Sequence, residues 1–347
     1  MITGIGCIWE YALKYKEHKD GGQDYIKITD QDMLDSFVNE RTRMYIEKSF
    51  KKPSFIPTGV YIESMNFRST TEISLSGNIW QEYPNDFPDD LKGVRIFPAI
   101  KSKIQQIYTK KLDNSELIRS RFEVDIPVHI SSSKYPLEVD EITVQFLPMD
   151  NSLVTFVLDL KGTPVDATVR LPGLNKNVVL PGWTLTHTFF ALEQGDADSS
   201  FGVKENYDQE KLPVLSYRIG IKRIFINAFI SNLTPLIVVT IILFFVLLLP
   251  SDTDISKIIG ICSSLFFVVV FSHLAIRKTI VIGELFYLEY FFFVIYAAVV
   301  MTPIRIFLLS LCREKDFLDY RNGLLFKAAY WPVLLGLLLV VTACEFY

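Results

Sequence analysis

The chain is short of cysteine: Cys7, Cys262, Cys312 and Cys344 are the only four in 347 residues. They are too scattered for a disulfide framework or paired zinc-ligand spacing. An excess of positive charge is also lacking. Against 39 Asp and Glu stand 35 Lys and Arg, a net charge of −4, so no global basic field points to nucleic acid. No Gly-rich phosphate loop, H-E-x-x-H, G-x-S-x-G or C-x-x-C occurs, and the chain reads as a non-enzyme. The opening residues have neither a basic n-region nor an A-x-A site, and so make a poor signal peptide.

What the sequence has in quantity is apolar residues, half of the total, and they are unevenly spread. The first 224 residues are mixed, whereas the remainder holds long uncharged runs. This step predicts two compartments: a water-exposed head and a membrane part. Four spans are expected at 228–249, 255–276, 280–301 and 330–346, each near the length that crosses hydrocarbon. The connection after the third span carries Arg305, Arg313, Lys315, Arg321 and Lys327, and that after the second only Arg277 and Lys278. The positive-inside bias therefore puts the third connection in the cytoplasm and the head outside it.

From Thr58 to about residue 224 the pattern has a period of two. Segments such as GVYIESMNF, TEISLSGNIW, RSRFEVDIPVHI and DEITVQFLP alternate apolar and polar residues between Pro, Gly, Asn and Asp breaks. Many short strands at regular spacing predict an antiparallel, Ig-like β-sandwich. Residues 1–57 form an extension. Within it, residues 29–48 place Met33, Leu34, Phe37 and Val38 on one helical face, with Thr29 and Asp32 spaced as a cap pair. Residues 1–13 are apolar except for Glu10 but too short to cross alone. They read as part of a membrane anchor or as an amphipathic helix resting on the sandwich.

A β-sandwich followed by four spans, with a very short link between the first two, resembles the pentameric ligand-gated ion channels, the Cys-loop receptor superfamily. Tyr135-Pro136-Leu137-Glu138 is similar to that family's aromatic-Pro-aromatic-Asp signature, with Leu137 and Glu138 as departures. The bracketing cysteines of animal receptors would fall at Val128 and Ile142, so the resemblance is to the bacterial branch. Arg223 and Pro235 look like the basic residue and the proline of the first membrane helix. Leu274 to Glu284 resembles the linker into the third, with Ala275 where proline is usual. The likeness covers about Thr58 to Tyr347.

The resemblance implies a homopentamer in a bacterial inner membrane, contacting lipid and passing inorganic cations when a small-molecule ligand binds the head. The pore face would carry Asp254, Ile258, Ile261, Leu265, Val268 and Ser272, a stripe at helical spacing that also suits ordinary bundle core. Asp254, with Asp252 one register away, would form a selectivity ring. Ligand recognition would fall near Phe97-Pro98, residues 150–152 and Phe201 to Tyr207, with Trp80 on a neighbouring subunit. Coupling would run through residues 66–70, Tyr135, Pro136, Glu138, Arg223, Arg277 and Lys278, with an Arg223 pair to Glu138 or Asp140.

Three further groups stand out. Asp196, Asp198, Glu205 and Asp208 offer oxygen ligands for Ca²⁺ as a modulator, or form a solvated acidic loop. His273 suits a pH sensor or an interfacial hydrogen bond. Glu289, inside a span, needs a partner, with a Tyr or the Arg277/Lys278 end within reach. A non-conducting solute sensor built the same way is the alternative to a channel.

Overall fold

The computed structural model describes residues 1–18, 25–47, 53–149, 154–163, 171–194, 213–249, 254–280, 285–311 and 324–346. The chain divides into two compact units. One comprises 20–130 and 140–222; the other comprises 1–19, 131–139 and 223–347. Residues 1–19 thus fall with the helical unit and residues 20–57 with the sheet unit.

Among the described residues the sheet unit has ten strands. Strands β1 (Tyr25–Lys27), β2 (Ser54–Phe67), β3 (Glu72–Pro84), β4 (Val94–Phe97) and β5 (Lys101–Lys111) come first, followed by β6 (Ser115–Pro127) and β7 (Val139–Pro148). Strands β8 (Val154–Leu158), β9 (Trp183–Gln194) and β10 (Pro213–Arg223) complete the set. They form two five-stranded sheets, ordered β1-β9-β10-β7-β4 and β5-β6-β3-β2-β8. One apolar core draws on both sheets, including Ile62, Ile79, Phe122, Phe146, Phe190 and Tyr217. Phe122 and Phe146 meet edge to face at 6.3 Å, and burying a side chain of this size contributes about 1.5–3 kcal/mol.

The sheet unit departs from the expected pattern in three places. Strand β8 runs parallel to β2, from Ser54↔Val154 to Thr58↔Leu158, so the sandwich is not wholly antiparallel. The helix α2 (Gln31–Glu47) is capped by Asp30, not Thr29: Asp30 Oδ1 accepts from Met33 N–H at 2.8 Å, and the Thr29 hydroxyl donates to Asp30 Oδ2. An Asx side chain at that position satisfies a donor that the first turn leaves open. Its Leu34 and Phe37 enter the sandwich core. The third departure is β5, a strand without apolar alternation, all of whose residues are exposed. Its register sets Lys101 opposite Asp125, Lys103 opposite Glu123 and Lys111 opposite Glu116. Opposite charges across an antiparallel pair supply the preference that hydropathy does not.

The helical unit contains α1 (Ile2–His18), α3 (Phe225–Leu248), α4 (Ile255–Thr279), α5 (Tyr287–Leu311) and α6 (Leu324–Phe346). The last four are long and apolar enough to cross a membrane. The third begins at Tyr287, seven residues later than the hydropathy pattern suggested. Pro235, Pro303 and Pro332 lie inside α3, α5 and α6. The bundle core is built from Leu236, Leu243, Ile258, Leu265, Phe292 and Ile295 with their neighbours, and α1 packs beside α6.

Candidate coupling and ligand sites

In the helical unit, the segment 131–139 is held by three kinds of contact. Glu138, almost wholly buried, is ion-paired with Arg223 through Oε2 and Nε, and its carbonyl accepts from Arg223 N–H at 3.0 Å. The Arg223 guanidinium also lies 5.0 Å from the centre of the Tyr135 ring, within cation–π range. The Tyr135 hydroxyl accepts from Asn232 Nδ2 at 2.9 Å, which ties the segment to α3. Burial pushes the Tyr135 phenol above its ordinary pKa, partly offset by Arg223.

The same segment reaches α5. Tyr287 N–H donates to the Ser133 carbonyl at 2.7 Å, and Tyr135 meets Phe286 edge to face at 5.9 Å. Phe286 N–H in turn donates to Glu289 Oε2 at 3.2 Å. Glu289 is fully buried and takes two further partners from α4. His273 Nε2 lies 2.9 Å from its Oε1, and Arg277 pairs with both oxygens through Nε and Nη2. The His273 ring stacks on Phe292 at 4.8 Å. A carboxylate among apolar helices is costly unless paired and hydrogen-bonded, and here the α4 end supplies the pairing.

Of the expected coupling residues, Tyr135, Glu138 and Arg223 therefore come together. Arg277 belongs instead to the Glu289 group, and Lys278 is exposed at the end of α4. Between the Arg223 and Arg277 ion pairs runs a continuous path of contacts, Tyr135–Phe286–Glu289. Sequence reading left Phe286 and Asn232 unmarked. Asn232 is a polar residue within an apolar run, and that was its available signal.

On α4 the six residues of the anticipated pore stripe divide. Ile258 and Leu265 are buried in the chain's own bundle, with Cys262 and Val269. Asp254, Ile261 and Val268 are exposed, and Ser272 is half-buried. The face turned away from the bundle is centred on Gly260, Ser264, Phe267 and Phe271, about 180° from the buried stripe at 3.6 residues per turn. Asp254 caps the helix, its Oδ1 accepting from Ser256 N–H at 3.0 Å. Asp252 lies outside the described residues.

In the sheet unit, Tyr61, Glu63, Asn78, Trp80, Tyr108, Leu117 and Arg119 line a cleft of about 410 Å³. The register explains the convergence. Tyr61 is opposite Asn78, Trp80 opposite Arg119, and Arg119 opposite Tyr108, so four adjacent strands present these residues on the face away from the core. Trp80 Nε1 donates to Asp159 Oδ2 at 2.8 Å. Its indole fits because Gly59 and Gly162 lack side chains: a Cβ on Gly59 would lie 2.1 Å from ring carbons. Asn78 Nδ2 donates to Glu63 Oε1 at 2.5 Å, while the buried Arg119 Nε has no hydrogen-bond partner among the described residues. Three rings thus line one cleft, of which the sequence pointed only to Trp80. The missed rings sit at alternate strand positions, and the exposed β5 had not been read as a strand.

Phe97 is exposed at the end of β4, away from the cleft residues. Residues 150–152, Phe201, Tyr207 and the acids Asp196, Asp198, Glu205 and Asp208 lie outside the described residues. Among the described residues no group of three or more His, Cys, Asp or Glu side chains is placed to hold a metal ion.

A second charged centre lies on the other sheet. Arg218, buried on β10, donates to Glu141 Oε1 and Glu193 Oε2, each at 2.6 Å, and the Tyr25 ring of β1 covers it at 4.2 Å. Burial alone would raise the Glu141 carboxyl. Hydrogen bonds and charge from His187 and Arg218 outweigh it, and the pKa lies below the usual range.

No protein-family model matches the chain, and no curated protein matches it.

Proposed function

We propose that the chain is the subunit of a ligand-gated, cation-selective channel of a bacterial inner membrane, with an Ig-like head outside the cytoplasm and five copies of α4 around the conduction path. The observation that carries this reading is the two-sidedness of α4. One stripe, Ile258, Cys262, Leu265 and Val269, is buried within the chain. The opposite stripe is exposed, and an exposed acid, Asp254, caps the start of the helix. A lumen-facing helix needs that division, and rings of carboxylates at a pore mouth favour cations.

The register of the lining follows from the same division. Gly260 and Ser264 give a wide inner half, and Phe267 and Phe271 a bulky outer half that closes by dewetting. Ile261 and Val268 flank this stripe, whereas Ile258 and Leu265 belong to the subunit's interior. The exposed strand β5, with Ile104 and Ile107 uncovered, offers an edge for a second copy. The Tyr61–Trp80–Tyr108 cleft is the ligand site, with rings for an apolar or cationic portion and Arg119 for an anionic one. The Arg223–Glu138–Tyr135–Phe286–Glu289–Arg277 path carries the coupling.

The bulk of Phe267 and Phe271 favours the second reading, a solute sensor that does not conduct. Planar-bilayer recording of the purified protein across a solute panel separates the two. Asn caps a helix as well as Asp does, so Asp254→Asn removes charge while keeping the helix start. It is expected to move the reversal potential in asymmetric salt toward non-selectivity. An unmoved potential refutes the acidic ring, and a mass other than five subunits refutes the pore.

A further inference from the structure

The helix α1 is not part of the four-span arrangement, yet it packs inside the same unit. Trp9 Nε1 donates to the Tyr287 hydroxyl at 2.9 Å, and that hydroxyl pairs with Thr342 Oγ1 of α6 at 2.8 Å. The Trp9 indole meets Phe225 at 5.2 Å and Phe229 at 6.4 Å. Trp9 therefore stands at the level where α3 and α5 begin and α6 ends. Five residues earlier, Gly4 passes so close to α6 that a Cβ there would lie 3.5 Å from Leu339 Cδ1, and Ile5 is buried. At 1.5 Å per residue, Leu339 is about 10 Å below the Phe346 end of α6. The contacts Gly4–Leu339 and Trp9–Tyr287–Thr342 advance in the same direction, so α1 runs parallel to α6 and its first turns lie deeper along the bundle than Trp9.

The sequence of α1 grades in the same sense. Ile2, Ile5 and Ile8 come first, then Trp9 and Tyr11 with Glu10 between them, then Lys14 and Lys16. Apolar residues, an aromatic belt and charges in that order mark the passage from hydrocarbon through the interface to water. The side of α1 turned from the bundle carries Ile2, Thr3, Gly6 and Cys7, all exposed, and Glu10 at its outer end. On the neighbouring α6, Leu337 and Val340 are exposed apolar residues as well.

From these contacts we propose that α1 is an intramembrane helix, seated against α6 in the leaflet where α3 begins, with its Ile2–Thr3–Gly6–Cys7 face covered by lipid acyl chains. A helix lying flat on the membrane surface would not bring Gly4 to the depth of Leu339. The inference stands apart from conduction or gating.

The test uses the full-length chain with Cys262→Ala, Cys312→Ser and Cys344→Ser, a nitroxide on Cys7, and reconstitution in phosphatidylcholine vesicles. Collision with oxygen, which concentrates in acyl chains, is compared with collision with a water-soluble nickel chelate. The expected oxygen-to-nickel ratio at Cys7 is several-fold above that of Lys103→Cys in the same background with Cys7→Ser. Thr3→Cys, one turn deeper, is expected to give a higher ratio than Cys7 and supplies a second reading should labelling at Cys7 disturb the fold. A ratio equal to that of Lys103→Cys places α1 in water and overturns the proposal. Low collision with both reagents means that protein, not lipid, covers this face, and overturns it equally.

Discussion

Two of the buried charge centres are mirror images of each other. In the sheet unit one cation, Arg218, sits between two carboxylates, Glu141 and Glu193. In the helical unit one carboxylate, Glu289, sits between two bases, His273 and Arg277. The sheet version fixes every partner by strand register, since β7, β9 and β10 are neighbours. The helical version takes its bases four residues apart on α4, one turn, and its acid from the first turn of α5. Its Arg277 is half-exposed whereas Arg218 is buried. The former centre is locked at all its corners. The latter has one partner able to turn to water.

The comparison breaks first at Arg218. Arg218→Met leaves two carboxylates facing each other in a buried site, and unfolding of the sheet unit, followed by fluorescence of the buried Trp183, is expected to lose about 3–5 kcal/mol. A loss below about 1 kcal/mol would class the centre with surface pairs. Replacing the acids too, with Glu141→Leu and Glu193→Leu, is expected to recover much of the loss, because a buried ion cluster exchanged whole for apolar groups costs little. At the helical centre, Glu289→Gln keeps the shape and one acceptor and releases Arg277 to solvent. Thermal stability in detergent is expected to fall by about 1–3 kcal/mol, the range for an imperfectly satisfied buried polar group. A fall as large as that of Arg218→Met would erase the difference between the centres.

Two smaller effects sharpen it. The Glu141 pKa is depressed on folding from an ordinary value of 4.5. Its contribution is therefore complete above that value and lost as pH falls through the lowered folded value. Denaturation midpoints of the wild type should drop in that acid window more than those of Glu141→Gln. The smallest change is Gly59→Ala, which forces the Trp80 indole to shift. It is expected to weaken solute binding at the cleft, read by Trp fluorescence titration, while leaving the far Arg218 centre and its acid dependence unchanged.

Much of the architecture was legible because burial writes a period into the chain. Strands β2, β3, β6, β7, β9 and β10 alternate, and the four long helices are long apolar runs with few charges. Strand β5 was invisible to that rule because both its faces are exposed. Its information lies in lysines that match acids on another strand, and for Lys101 with Asp125 and Lys103 with Glu123 no local window contains both. The parallel β2–β8 pair was hidden for a related reason, since residues 54–58 and 154–158 meet only in three dimensions. Among the site residues, Arg223 and Glu138 were legible from motif spacing, and Glu289 from its cost in an apolar span. Which stripe of α4 faces inward was not, because Ile258 and Ile261 are equally apolar and only the packing of α3 and α5 distinguishes them.

The assignment of 131–139 to the helical unit has a consequence for mechanics. The flanking strands β6 and β7 belong mainly to the other unit, so the backbone passes between the units near residues 19, 130, 139 and 222. The chain is therefore continuous from one unit to the other at four places, not one. A single proteolytic nick at any one of them leaves the two units covalently joined through the other three.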